Sequence, residues 1–129
     1  ESSGHIICLD RTSTGDGIVS ALQVLCSMSL SRQPISRLRE GMTKLPQHMV
    51  SVPVGRRVDP YEVPAIAAAV REIESELGKD GRVLLRSSGT EPVIRVMIEG
   101  LNHQCVQRLT DLLAVRVAEA LVTDPAMAN

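Results

Sequence analysis

Aromatic side chains are almost missing from this chain, which has no Trp, no Phe and one Tyr, Tyr61. Its core must be packed from Val, Ile, Leu, Met and Ala. The stacking platforms on which single-stranded nucleic-acid binders depend are missing with them. An excess of one charge is also lacking. The formal net charge is −1, so no overall field draws the chain to nucleic acid or to an anionic membrane. Any anion site must therefore be local. Cysteine is sparse: Cys8, Cys26 and Cys105 are odd in number, far apart and never arranged as C-x-x-C. That argues against a disulfide framework or a structural zinc and for a reducing compartment, with three small buried hydrophobes as the plain reading. No apolar run is long enough to span a bilayer, and no signal-peptide pattern opens the chain. A cytoplasmic protein with neither nucleic acid nor membrane as partner is expected.

What is there is an ordinary globular composition. The 129 residues are 43% hydrophobic and 22% charged, enough for one domain or a small domain plus part of another. The chain opens on Glu1-Ser2-Ser3-Gly4-His5 with no initiator Met and runs at once into an apolar stretch. A piece of a longer protein is expected from that start.

The periodicity divides the chain near Lys44. His5 to Leu9 reads as a strand. "DRTSTGDG" then leads to a helix over 17–31, with Asp16 as its N-cap and Ile18, Leu22 and Leu25 on one face. Pro34 stops it, and "ISRLREGM" reads as a second, short helix closing at Gly41. Beyond Lys44, Val50, Val52 and Val54 alternate as in a strand, and Pro53 places that strand at a sheet edge. Pro64 begins a helix whose inner face is Ile66, Val70, Ile73 and Leu77, capped at Gly78. Strands follow at 82–86 and 93–99, then a helix over about 103–122 that turns Val106, Leu109, Leu113, Val117 and Leu121 inward. The order β-α-β-β-α predicts an α+β unit, an open antiparallel sheet with two helices on one face.

Between the last two strands stands "RSSGTEPVIR", residues 86–95. Its six-residue connection is longer than a tight hairpin needs. Gly89 permits backbone geometry that other residues resist, and Ser87, Ser88 and Thr90 add hydroxyls. Successive N–H groups in such a turn can form an anion-binding nest. Arg86 and Arg95 supply guanidinium forks that match phosphate oxygens. The same residues also suit a polar hairpin whose arginines are solvated or paired with Glu91 and Glu99, and composition alone does not choose. The opening residues Glu1, Ser3 and His5 could hold sugar hydroxyls, or could be a frayed terminus. "TSTGDG" lacks P-loop spacing and reads better as a helix cap. His48 and His103 have no partner at metal-ligand spacing and read as surface or strand-edge residues.

Taken together, "ESSGHIICLDRTSTGDG" and "GRVLLRSSGTEPVIRVMIEG", with "REGMTKLPQ" between them, resemble the C-terminal part of the bacterial phosphoglucosamine mutases, within the α-D-phosphohexomutase superfamily. The resemblance covers essentially the whole chain. It implies that residues 1–43 are the strand-helix tail of a sugar-binding α/β domain three. Residues 44–129 would be domain four, a TATA-box-binding-protein-like fold carrying a phosphate loop. By the same resemblance Glu1, Ser3 and His5 match the sugar loop. Arg86, Ser88, Gly89 and Thr90 match the phosphate loop, with Arg95 in support.

The implied chemistry converts glucosamine 6-phosphate to glucosamine 1-phosphate through a phosphoserine and a bisphosphate, with Mg²⁺ as cofactor. Neither the serine loop nor a D-G-D-x-D-R metal loop occurs here, so no catalytic residue and no metal ligand is expected in this chain. It should be inactive alone. The expected partners are the phosphosugar and the missing N-terminal domains. Residues 1–40, short of most of their sheet, are also candidates for loose, swapped or self-paired states. Two departures are that Ser13 replaces a more usual Thr and that the Gly expected before Glu1 is missing. A sister mutase acting on mannose or glucose phosphates, or a non-catalytic phosphate-binding α/β module, are the alternatives.

Overall fold

The computed structural model describes residues 5–56 and 58–123. They fall into two compact units, Glu1–Thr43 and Lys44–Asn129.

In the first unit, α1 (Gly17–Ser31) occupies the expected span. Asp16 caps it: its carboxylate accepts from Ile18 N at 2.8 Å and Val19 N at 3.0 Å, covering donors that the first turn leaves over. A shorter helix, α2 (Ile35–Leu38), follows, and Gly41 takes φ +89 just beyond it. The strand expected from His5 to Leu9 is not there. Residues 5–8 have no regular structure and 9–11 turn. A strand needs a neighbour to take its backbone hydrogen bonds, and no described strand lies in this unit. The face of α1 expected to turn inward is open as well: Ile18 and Leu22 are 75% and 57% exposed, and no residue of the helix is buried.

The second unit follows the β-α-β-β-α expectation. Strand β1 (Gln47–Pro53) leads through a 3₁₀ turn (Pro60–Glu62) to α3 (Pro64–Leu77), then β2 (Gly81–Ser87), β3 (Val93–Gly100) and α4 (His103–Thr123). The sheet order is β1-β3-β2, antiparallel throughout, so β1 is an edge strand as Pro53 required.

Val52, Leu85, Ile94, Val96 and Ile98 pack on one face against Ile66, Val70, Ile73 and Leu77 of α3 and against Val106, Leu109, Leu113 and Val117 of α4. Both α3 and α4 therefore cover the same side of the sheet, and neither covers the other. Tyr61, the one aromatic residue, is outside this aliphatic core.

The helices are joined on their outer surface by ion pairs from Arg108 to Glu76 and Arg116 to Glu72. The hydrogen bond to Glu76, aided by its charge, raises the pKa of Arg108. His48 lies 3.4 Å from Asp111 of α4 and is half-buried rather than a bare surface residue.

α3 ends at Gly78, whose φ of +56 suits glycine and whose N–H donates to Glu74 O. The far end of the hairpin closes on a glycine pair, Gly81 opposite Gly100. A Cβ on Gly81 would lie 2.5 Å from Glu99 O, and one on Gly100 would lie 2.9 Å from Asp80 O.

Candidate functional site

At the opposite end of the hairpin the chain turns through residues 88–92, and four hydrogen bonds fix this turn. Ser88 N donates to Val93 O at 2.8 Å and Val93 N to Glu91 O at 2.9 Å. Thr90 N and Glu91 N both converge on Ser88 Oγ, at 3.4 and 3.3 Å. Ser88 is 5% exposed, one of two buried polar residues in the described chain, whereas Gly89 and Thr90 are exposed. The hydroxyl thus accepts from two successive N–H groups and holds the turn in shape as a local serine turn.

Register places the arginines. Arg86 of β2 pairs directly with Arg95 of β3, and Arg95 pairs on its other side with Ser51 of β1. Directly opposed residues of antiparallel strands share a face, so Ser51, Arg95 and Arg86 form one row on the side without helices. Two rows away along the same face, Arg82 opposes Glu99, and its Nε donates to Glu99 Oε1 at 2.6 Å. One β2 arginine therefore faces a carboxylate while the other faces a second cation. Glu91 approaches Arg95 at 3.7 Å, with the arginine side chain 32% exposed and the glutamate 63% exposed. Of the two pairings in the polar-hairpin reading, Glu91 with Arg95 occurs, and Glu99 serves Arg82 instead.

The turn hangs from two posts. Ser87 Oγ donates to Val58 O, and Val54 N donates to Pro92 O at 2.9 Å. A cavity of about 570 Å³ opens between Val58–Tyr61 and Leu85–Ser87, beside Arg86.

The expected residues Arg86, Ser88, Gly89, Thr90 and Arg95 thus share one turn and the strand ends beneath it. Of the sugar-loop set, Glu1 and Ser3 lie outside the described residues, and His5 is exposed, its ring close to Gly15. Sequence reasoning missed Ser51, whose place in the row depends on strand register, and the ties of the turn to Val54 and Val58. Among the described residues no group of three or more His, Cys, Asp and Glu side chains could hold a metal ion.

Comparison with known proteins gives a consistent picture. Residues 49–120 match the model of the phosphoglucomutase/phosphomannomutase C-terminal domain, and residues 1–45 match that of the same family's alpha/beta/alpha domain III. The phosphoglucosamine mutase of Halorhodospira halophila is 56% identical over 128 residues, which are 97% of this chain and 28% of that protein. That of Methylococcus capsulatus is 54% identical over 120 residues, 93% of this chain and 27% of its own. A crystal structure of Aspergillus fumigatus N-acetylphosphoglucosamine mutase, in complex with GlcNAc-6P and magnesium, superimposes with a TM-score of 0.68. Its identity is 26%, over 83% of this chain and 22% of that one. The chain spans little more than a quarter of the length of the Halorhodospira and Methylococcus relatives.

Proposed function

The chain belongs to the phosphoglucomutase/phosphomannomutase family, and from that premise we propose that it supplies the phosphate-binding part of a phosphoglucosamine mutase. The observation that carries the reading is the Arg86–Arg95 opposition beneath the Ser88 turn. A second cation across the ladder is unfavourable by itself, and a bound phosphate turns it into a two-pronged clamp.

In this reading Lys44–Asn129 is domain four, and residues 1–43 are the tail of domain three. Arg86, Ser88, Gly89, Thr90 and Arg95 hold the non-reacting phosphate, and Glu1, Ser3 and His5 hold sugar hydroxyls. The whole protein interconverts glucosamine 6-phosphate and glucosamine 1-phosphate, an isomerisation within amino-sugar metabolism toward bacterial peptidoglycan. Its phosphoserine passes the phosphoryl group through a bisphosphate. The intermediate then presents its other end, so the seat must accept either phosphate in turn. Backbone donors and guanidinium groups suit that demand, because they recognise the phosphate and not the carbon that bears it.

Mg²⁺, which accompanies the Aspergillus relative's complex, belongs to the whole protein. In this reading its ligands come from the preceding domains. The partners are the phosphosugar and the preceding domains, with self-pairing of the first unit as a further state. A cytoplasmic location accords with the free cysteines, and no helix among the described residues is long and apolar enough to cross a membrane.

An amide NMR titration with glucosamine 6-phosphate, inorganic phosphate and glucosamine tests the seat. Saturable shifts over residues 86–95 with both phosphates, and none with the bare sugar, are expected. The same response to glucosamine as to its phosphate would overturn the reading.

A further inference from the structure

The sheet face turned away from α3 and α4 changes character from row to row. Met49, Met97 and Leu84 stand opposite one another across β1, β3 and β2 and form an apolar row. The next row toward the turn is Ser51, Arg95 and Arg86, and the row after it begins with Pro53 opposite Val93. The polar row is therefore bordered by apolar strand residues on both flanks. An anion seated over it takes its hydrogen bonds to the sheet from these three side chains.

Exposure separates the three. Arg95, in the middle, has its side chain 32% exposed and leans toward the turn, where Glu91 lies 3.7 Å away. Ser51, beside it on the edge strand, is exposed. An arginine folded over the serine would bury it, so the hydroxyl stays open on the flank of Arg95 opposite Arg86. Adjacent members of such a row have Cβ atoms about 4.5–5.5 Å apart, a gap that one phosphate can bridge. Among the residues of β1 on this face, Gln47, Met49, Ser51 and Pro53, only Ser51 carries a hydroxyl.

We infer that the Ser51 hydroxyl is a third side-chain ligand of the anion, so that each strand of the sheet gives one residue to the seat. This rests on the phosphate seat proposed above and deepens it. Guanidinium groups only donate and a hydroxyl can donate as well, so all three side chains can face one dianion. Ser51 and Arg86 then hold the phosphate from the two sides of the central guanidinium. The added contact reads the phosphate and not the sugar.

The test titrates the 129-residue chain with inorganic phosphate, following its backbone amides. The Ser51 signal should move together with those of 86–95. Ser51→Ala should weaken binding roughly tenfold, as loss of a hydrogen bond to a charged group does. Ser51→Thr keeps the hydroxyl, suits a strand and should bind as the unsubstituted chain does. Gln47→Ala, on the same strand and face but in the row of Glu99, should leave affinity unchanged. Unchanged affinity in Ser51→Ala, with Arg86→Gln weakened, would remove Ser51 and leave the seat standing. Weakening by Ser51→Thr equal to that of Ser51→Ala would deny the hydroxyl its part. Equal weakening by Gln47→Ala would trace the loss to the docking of β1 and overturn the assignment. No phosphate response in the unsubstituted chain would overturn the seat and Ser51's place in it together.

Discussion

Arg86 and Arg95 stand directly opposite each other across the β2–β3 ladder, on the sheet face turned away from α3 and α4. Like charges in that relation destabilise a sheet by up to about 1 kcal/mol. Arg86→Gln is therefore expected to leave stability within about that range while lowering phosphosugar affinity roughly ten- to hundredfold in the full-length enzyme. Thermal melts and the Michaelis constant read the two effects separately. Unchanged kinetics would contradict the seat.

Glu91 sits beside Arg95 at 3.7 Å with most of its side chain in water. Surface pairs of this kind contribute little to stability, about 0–1 kcal/mol. Its negative charge opposes an incoming phosphate, so Glu91→Gln should tighten inorganic phosphate binding about two- to threefold, most clearly at low salt. Weaker binding would mean that Glu91 serves mainly to orient Arg95.

Ser88 and Thr90 should separate cleanly. Ser88→Ala removes a buried acceptor shared by two N–H groups, at a cost of about 1 kcal/mol in stability as well as in affinity. Thr90→Val, at an exposed position, should keep stability within about 0.5 kcal/mol and lose affinity alone. Matching melts for both variants would deny Ser88 its role in holding the turn.

The open end of the hairpin, where Gly81 pairs with Gly100, makes a purely steric prediction. Gly81→Ala drives a methyl group to 2.5 Å from Glu99 O and should cost about 1–3 kcal/mol. Gly55→Ala meets nothing within 4 Å and should stay within about 0.5 kcal/mol. Denaturant midpoints of the two variants suffice to check this.

Much of the second unit could be read from residue spacing, because its period is enforced by burial. Ile66, Val70, Ile73 and Leu77 repeat at helical intervals and all reach the core. Val50, Val52 and Val54 alternate, and Pro53 identified the edge. The first unit was read less well. Ile18, Leu22 and Leu25 have the pattern of a packed helix, but among the described residues they stay largely exposed. His5–Leu9 has the composition of a strand without a described neighbour to bond. Pattern reports what a segment is suited to pack against, not whether that surface is present. The Arg86–Arg95 opposition was out of reach for a different reason. Opposition depends on register, and register depends on the five-residue 88–92 turn, whose hydrogen bonds are not legible in its letters.

The strand order also sets the sequence of folding events. Arg82 meets Glu99 across only 17 positions, whereas Gln47 meets Glu99 across 52. The hairpin can zip early, but β1 can dock only after a far longer loop has closed. Destabilising changes in the hairpin should therefore slow folding, and those in β1 should chiefly speed unfolding. A chevron plot for Leu85→Ala and one for Val52→Ala would separate the two limbs. The tie from Val54 N to Pro92 O, which continues directly from β1, would then be the last support of the turn to form as the chain folds and the first to come away as it unfolds.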